Sequence, residues 1–186
     1  MWGKRAFRVS LAILAAIGVY AVHLVAIGNF HTVIGGTPYR AAQPSAEDIA
    51  LWHQRHGSKT IINLRGANPA ADWRREEQAA ARAVGIRLID YKMSSKRRDL
   101  SATKVEELLG ILATAEAPVL IHCRNGVDRS GLVSAFYVAG VAGGSEFFAE
   151  LQLTPVYGHL PVWFLSAFAM DRSFEMAEPR LGFPDS

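Results

Sequence analysis

The segment Val119-Leu120-Ile121-His122-Cys123-Arg124-Asn125-Gly126-Val127-Asp128-Arg129-Ser130-Gly131 decides how this chain is read. It carries the only cysteine among 186 residues, with an arginine six positions later. Three apolar residues lead into it, and a small-residue helical pattern from Leu132 to Gly140 follows. This context predicts a strand, a tight loop and a helix. Such a loop aims successive backbone N–H groups and a helix N-terminus at one point, forming a cradle for phosphate. The same field favours a thiolate, so Cys123 is expected to be nucleophilic. Arg129 has the planar fork needed to hold two oxygens of the bound anion. Arg124, Asn125, Gly126, Val127 and Asp128 complete the expected phosphate-binding run. Gly126 tolerates a positive φ, and Gly131 permits close approach at the helix start. His122 is expected to support the loop and tune the thiolate. Ser130 places a hydroxyl beside the sulfur, where it can assist departure when water attacks a phospho-cysteine.

His-Cys, five residues, then Arg-Ser, with a central glycine, resembles the signature of the cysteine-dependent protein tyrosine phosphatases. The similarity is to their compact dual-specificity-like branch, of the bacterial, membrane-anchored type. Tyr39-Arg40-Ala41-Ala42-Gln43-Pro44 is similar to a Tyr-Arg-Ser-Ala-Gln-Pro strand found in many bacterial members. The resemblance covers about residues 33–160 and implies hydrolysis of phosphate monoesters through a phospho-cysteine, with no metal or cofactor. A buried structural cysteine is the plainer alternative, but it explains neither Gly126, Arg129 and Ser130 nor the strand–loop–helix setting. A rhodanese loop is normally shorter, and arsenate reductases need further thiols. The chain has one cysteine.

Working outward, Lys4, Arg5 and Arg8 precede an apolar run from Val9 to Ile27. At roughly 1.5 Å per residue that run spans about 28 Å, close to the hydrocarbon thickness of a bilayer. It reads as a membrane anchor over residues 9–27, with a cleaved signal peptide as the rival. The positive-inside bias predicts a cytoplasmic N-terminus and a domain on the periplasmic or extracytoplasmic side. A lone thiol there has no intramolecular partner for a disulfide. The expected division is an anchor or signal segment over 1–29, a catalytic domain over 30–178 and a loose tail over 179–186. A net charge of +3 and the lack of a basic-aromatic array give no indication of a nucleic-acid partner.

Elements alternate along the rest of the chain. Gly35-Gly36-Thr37-Pro38 marks a turn. Ser45 to Asp48 can form a capping box for a helix to His56, stopped by Gly57. Thr60–Leu64 and Ile86–Met93 read as strands, and Asp72 is expected to cap a helix through Val84. Another helix opens at Thr103, with Val105, Leu108, Leu109 and Leu112 on one face, and Pro118 ends it. Helices are also expected over Glu146–Leu153 and Pro161–Met176. The fold class is therefore α/β, a central mainly parallel sheet flanked by helices and preceded by one transmembrane helix.

Dual-specificity-like chemistry needs a proton for the leaving oxygen, normally from an Asp in the loop after the preceding strand. Here Ser94 or Ser95 occupies that place, which leaves two candidates. Asp128 lies inside the cradle, where a bound phosphate favours its protonated form. Its alternative is a loop-stabilising carboxylate paired with Arg40 or Arg97. Asp99 serves if its loop folds inward, or else supports a helix start. Asp90 and His159 read as structural. Lys92, Lys96, Arg97 and Arg98 suit a solvated face, a substrate with several negative charges or an anionic membrane surface. The expected partner is thus a phosphorylated protein or, alternatively, an anionic phospholipid or inositol phosphate. A phosphate-binding module without turnover is the third reading.

Overall fold

The computed structural model describes residues 2–94 and 99–183. A long helix α1 (Trp2–Ala26) leads into a five-stranded sheet in the order β1-β2-β5-β3-β4. The strands are β1 (His31–Thr32), β2 (Tyr39–Ala41), β3 (Thr60–Asn63), β4 (Arg87–Asp90) and β5 (Val119–His122). Only the β1–β2 pair is antiparallel, joined through Gly35 and Gly36, both at positive φ. The β2–β5, β5–β3 and β3–β4 pairs are parallel, which agrees with the expected sheet.

Alternation along the buried strands sends neighbouring side chains to opposite faces. Ile62 and Ile121 enter one core with Leu108 and Leu112 of α4 (Ala102–Thr114) and Leu132 and Phe136 of α5 (Asp128–Gly140). Ile61 and Leu120 face the other way. They join Ile49 and Trp52 of α2 (Ala46–His56) and Ala81 of α3 (Asp72–Ala83). Strand β5 thus runs between two strands and two helical layers, and Cys123 follows it directly.

Local signals explain most element ends. The Ser45–Asp48 capping box forms, and Gly57 closes α2 in the left-handed conformation. Ser101 accepts from the Lys104 N–H at the start of α4. Helix α3 departs from expectation, because Ala71 is its N-cap and Asp72 pairs with Arg75 instead. The expected Pro161–Met176 helix is mostly a turn-rich loop. Regular helix is confined to α7 (Ala169–Glu175), after a 3-10 turn at Ser166–Phe168. Trp163 and Phe164 are exposed, so no core contact rewards helix formation there. Within the described part of the expected loose tail, α8 (Glu178–Leu181) packs Leu181 into the core. The remaining short helix is α6 (Glu146–Glu150), continued by 3-10 turns at Leu151–Leu153 and Pro155–Tyr157.

Candidate active site

The loop from Cys123 to Val127 connects β5 to α5 at the C-terminal end of the parallel sheet. Its backbone carbonyls are turned outward one after another. The Arg124 oxygen accepts from the Gln43 N–H at 3.2 Å. The Asn125 and Gly126 oxygens accept from Asn29 Nδ2 at 3.2 and 3.1 Å. The Gly126 and Val127 oxygens accept from Arg40 Nη2 at 3.0 and 2.7 Å. A planar trans peptide sets its N–H opposite its C=O. Holding four carbonyls from outside therefore turns the N–H groups of residues 125–128 toward the inside of the loop. With the first turn of α5, they make a preorganised anion cradle.

Two close approaches keep that cradle in place. Gly126 has φ +69°, and a Cβ there would lie 2.6 Å from both the Ala41 carbonyl carbon and the Ala42 nitrogen. At Gly131 a Cβ would lie 2.7 Å from the Gln152 oxygen and 3.1 Å from Arg40 Nη2. Arg40 is fully buried, with Nη1 donating to the Gln152 backbone oxygen at 2.7 Å and its cation 4.2 Å from the Tyr157 ring centroid. Burial lowers its pKa to about 10 against the opposing pull of Tyr157, Cys123 and Asp128, so it remains a cation near neutrality.

Cys123 is buried, which by itself raises the thiol pKa. The Ser130 hydroxyl 3.5 Å away, the Arg129 charge and the N–H groups of Ser130 and Asn125 outweigh burial, leaving the thiol below its ordinary value. Arg129 anchors one guanidinium nitrogen on the Leu64 and Met93 carbonyls at 3.2 and 3.4 Å. His122 is buried, with Nδ1 3.3 Å from the Cys123 oxygen and Nε2 2.5 Å from Glu77 Oε1. It lies under the loop.

The two acid candidates separate. Asp99 is drawn to the surface by Arg172, which donates to it at 3.0 and 2.6 Å. Asp128 pairs with neither Arg40 nor, among the described residues, any other arginine. His159 Nδ1 donates to its Oδ1 at 2.8 Å, while Nε2 donates to Asp171 Oδ2 at 3.0 Å. Burial lowers the His159 pKa, but these two carboxylates overcome it and raise the value to about 9. His159 is therefore a buried cation that orients Asp128, a role a lone histidine far along the chain does not signal. Asp90 is structural as expected, binding Arg74 and the Asn63 amide.

Lys96, Arg97 and Arg98 lie outside the described residues. Arg65 is a cation that sequence reasoning missed. Its Nη1 donates to Gln43 Oε1 at 2.7 Å and its cation lies 3.4 Å from the Trp73 ring centroid. Partial burial and the like charges of Arg124 and Arg129 lower its pKa, so positive charge accumulates around the loop. Asn29 was missed as well, being read as the last residue of the anchor. Among the described residues, the one grouping with metal-ligand spacing is Glu146, Glu150 and Glu178, with oxygens within 4.8 Å.

A thiol of lowered pKa at the end of a central parallel strand, an anion cradle and an arginine closing the same loop define the cysteine-phosphatase class of site. Over residues 36–154 the chain matches the family model described as DSP-PTPase phosphatase fused to NAD+ kinase. It belongs to that dual-specificity-like phosphatase family, within the cysteine-dependent superfamily. Among relatives, the Pseudomonas aeruginosa dual specificity protein phosphatase TpbA is 35% identical over 112 residues, covering 58% of this chain and 45% of that one. The Saccharomyces cerevisiae inositol diphosphatase SIW14 is 29% identical over 109 residues, covering 55% and 36%. The chain therefore matches less than half the length of these relatives. The crystal structure of P. aeruginosa TpbA superposes with a TM-score of 0.57 at 26% identity, covering 84% of this chain and 91% of that one. A cysteine-to-serine form of TpbA was solved in complex with pTyr and aligns with the same TM-score at 25% identity, covering 86% and 92%. The SIW14 catalytic domain, at 22% identity and a TM-score of 0.59 over 83% and 93%, shares the fold.

Proposed function

We propose that this chain hydrolyses phosphate monoesters through a phospho-cysteine, as a protein tyrosine or dual-specificity type phosphatase. The observation that carries this reading is the four outward-held carbonyls, which preorganise a cradle around a thiol of lowered pKa. Cys123 Sγ attacks phosphorus and forms the S–P bond as the P–O ester bond breaks. Arg129 and the inward N–H groups take up the charge on the equatorial oxygens. Asp128, oriented by His159, donates the proton to the leaving oxygen, a choice over Asp99 that the tie of Asp99 to Arg172 supports. Water then attacks the phospho-cysteine, Asp128 accepts its proton, and Ser130 hydrogen-bonds the departing sulfur. The products are inorganic phosphate and the free hydroxyl compound.

The relatives support a phosphoprotein substrate, since TpbA is named a dual specificity protein phosphatase and was solved with pTyr. A lipid or inositol phosphate is the second reading. It is favoured by the cleft in which Arg124 and Asn125 meet Ala21, Leu24 and Val25 of α1. Over Lys4–Ala26, α1 is long and apolar enough to cross a membrane. With Lys4, Arg5 and Arg8 at its start, we assign the N-terminus to the cytoplasm and the domain to the extracytoplasmic side.

The test is phosphate release by the full chain in bilayers, beside Cys123→Ser. Phosphotyrosine and phosphoserine peptides, phosphatidylglycerophosphate, phosphoinositides and an aryl phosphate form the panel. Turnover abolished by the serine is the expected result, and the preferred substrate decides protein against lipid. A folded chain that binds phosphate without turning over any substrate would instead be a binding module.

A further inference from the structure

We propose that the segment Pro155–Phe164 is a bilayer-docking surface, which seats the catalytic domain on membrane phospholipid with the phosphate loop at headgroup level. This rests on the reading of α1 as a membrane span, but not on catalysis.

The first observation is a depth constraint. Tyr20 donates its hydroxyl hydrogen bond to the Val156 carbonyl at 2.5 Å. Tyr20 lies six residues before the end of α1, and roughly 1.5 Å of rise per residue places it about 9 Å inside that end. Val156, and with it Leu160, which lines a cleft with Ile17 and Tyr20, is therefore level with the helix and not beyond it. If Lys4–Ala26 crosses the bilayer, this part of the segment lies at or below the interface. Tyr20, with an apolar ring and a polar tip, is a residue type that favours that depth.

The second observation is the composition of the segment. Val156 is 55% exposed, Leu160 51%, Trp163 77% and Phe164 54%. Trp163 and Phe164 pack edge to face with ring centroids 5.5 Å apart, so their apolar area forms one projection. In water that exposure is unfavourable, by about 25 cal/mol per Å² of apolar surface left uncovered. At a membrane interface it becomes the favourable term.

The third observation is continuity. A cleft of about 660 Å³ separates α1 from this segment, lined by Ile17, Tyr20, Leu24, Val156 and Leu160 among others. It is almost wholly apolar, the chemistry of an acyl chain. Ala21, Leu24 and Gly158 also line a neighbouring cleft of about 470 Å³, which reaches Arg124 and Asn125 of the phosphate loop. Apolar wall and cationic end thus follow one another as do the acyl chain and phosphate of a phospholipid. One lipid fits both, with its chain against α1 and its phosphate beside Arg124.

The test uses the full chain carrying Cys123→Ser, in vesicles of phosphatidylcholine and anionic phosphatidylglycerol. Single cysteines are introduced by Ile13→Cys, Leu160→Cys, Trp163→Cys or Glu116→Cys and labelled with an environment-sensitive fluorophore. Glu116 precedes β5, at the end of the sheet opposite the phosphate loop. Lipids carrying a nitroxide high on the acyl chain should quench labels at 160 and 163 by at least about twofold and leave 116 unchanged, as burial in the headgroup–acyl boundary requires. Deep nitroxides should quench label 13. Quenched 13 with 160 and 163 as open to aqueous iodide as 116 overturns the docking surface while leaving the anchor intact. Labels at 160 and 163 shielded from both quenchers overturn it in favour of a protein partner. An unquenched 13 removes the anchor and the proposal together.

Discussion

Ser130 lowers the Cys123 thiol pKa against burial and His159 keeps its proton against burial, so removing either should show as a displaced titration. Burial pushes the Cys123 thiol up, and the Ser130 hydroxyl is first among the groups that bring it back down. Ser130→Ala should therefore raise the pH midpoint of iodoacetate alkylation of Cys123 by about one unit, the worth of a hydrogen bond to a charged group. An unmoved midpoint would assign the thiolate to Arg129 and the loop N–H groups alone. For His159 the folded pKa is raised from 6.5 to about 9. The protonated form is the stabilised one, so the contribution is complete below pH 6.5 and lost as pH rises through about 9. A shift of that size corresponds to about 3 kcal/mol. Thermal unfolding followed from pH 6 to 10 should show Tm falling between about pH 6.5 and 9 and levelling above that. In His159→Gln the fall should be reduced and Tm at pH 6 already low. The same variant frees Asp128 from its orienting partner, so kcat should drop more than KM rises if Asp128 is the proton donor.

At the scale of elements, the loop 123–127 is positioned against β2 by an absent side chain. Gly126→Ala would force an L-residue into φ +69°, at about 1–2 kcal/mol, and press its Cβ into the backbone of Ala41 and Ala42. Because the obstacle is backbone, relief requires β2 and the loop to move apart. Chemical unfolding should show a loss exceeding that strain, with phosphate affinity falling in parallel; a variant with wild-type stability would mean the loop is not fixed by β2. How much of this was legible follows from how local each signal is. The strand–loop–helix around Cys123 was readable because nucleophile, glycine and arginine sit within one loop and its flanks. The helix at Ser45–His56 was readable because cap and stop lie at its own ends. Asn29, Arg40 and His159 act across 96, 86 and 31 positions in sequence, on Asn125, Gly126 and Asp128. No periodicity or spacing records such contacts. The pairing of Asp99 was hidden for the same reason, since its partner Arg172 is 73 positions away. The loop at 159–165 defeated helix prediction because its apolar residues point away from the core.

For the molecule as a whole, the boundary between apolar helix and catalytic domain does not fall where the hydrophobic run stops. Leu24 is buried against the domain, the Gly28 carbonyl accepts from the Ala42 N–H at 2.8 Å, and Asn29 holds the Asn125, Gly126 and Tyr157 carbonyls. The turn that follows α1 is therefore part of what orients the phosphate cradle. A fragment beginning at residue 30 would keep every element of the sheet and both cores, yet lose the Asn29 hold on two loop carbonyls. Two hydrogen bonds at about 1 kcal/mol each predict a 10- to 30-fold loss in kcat/KM and in affinity for vanadate. Secondary structure should be unchanged by circular dichroism. A fragment beginning at residue 24 should recover the full-chain values, and Asn29→Ala in the full chain should reproduce the loss without truncation. If the residue 30 fragment and Asn29→Ala both match the full chain, the Asn29 hold is dispensable, and Arg40 with the Gln43 N–H orients the loop. The comparison also bears on processing: cleavage before Leu24 leaves the site assembled, whereas cleavage after Asn29 yields a folded domain with a loosened cradle.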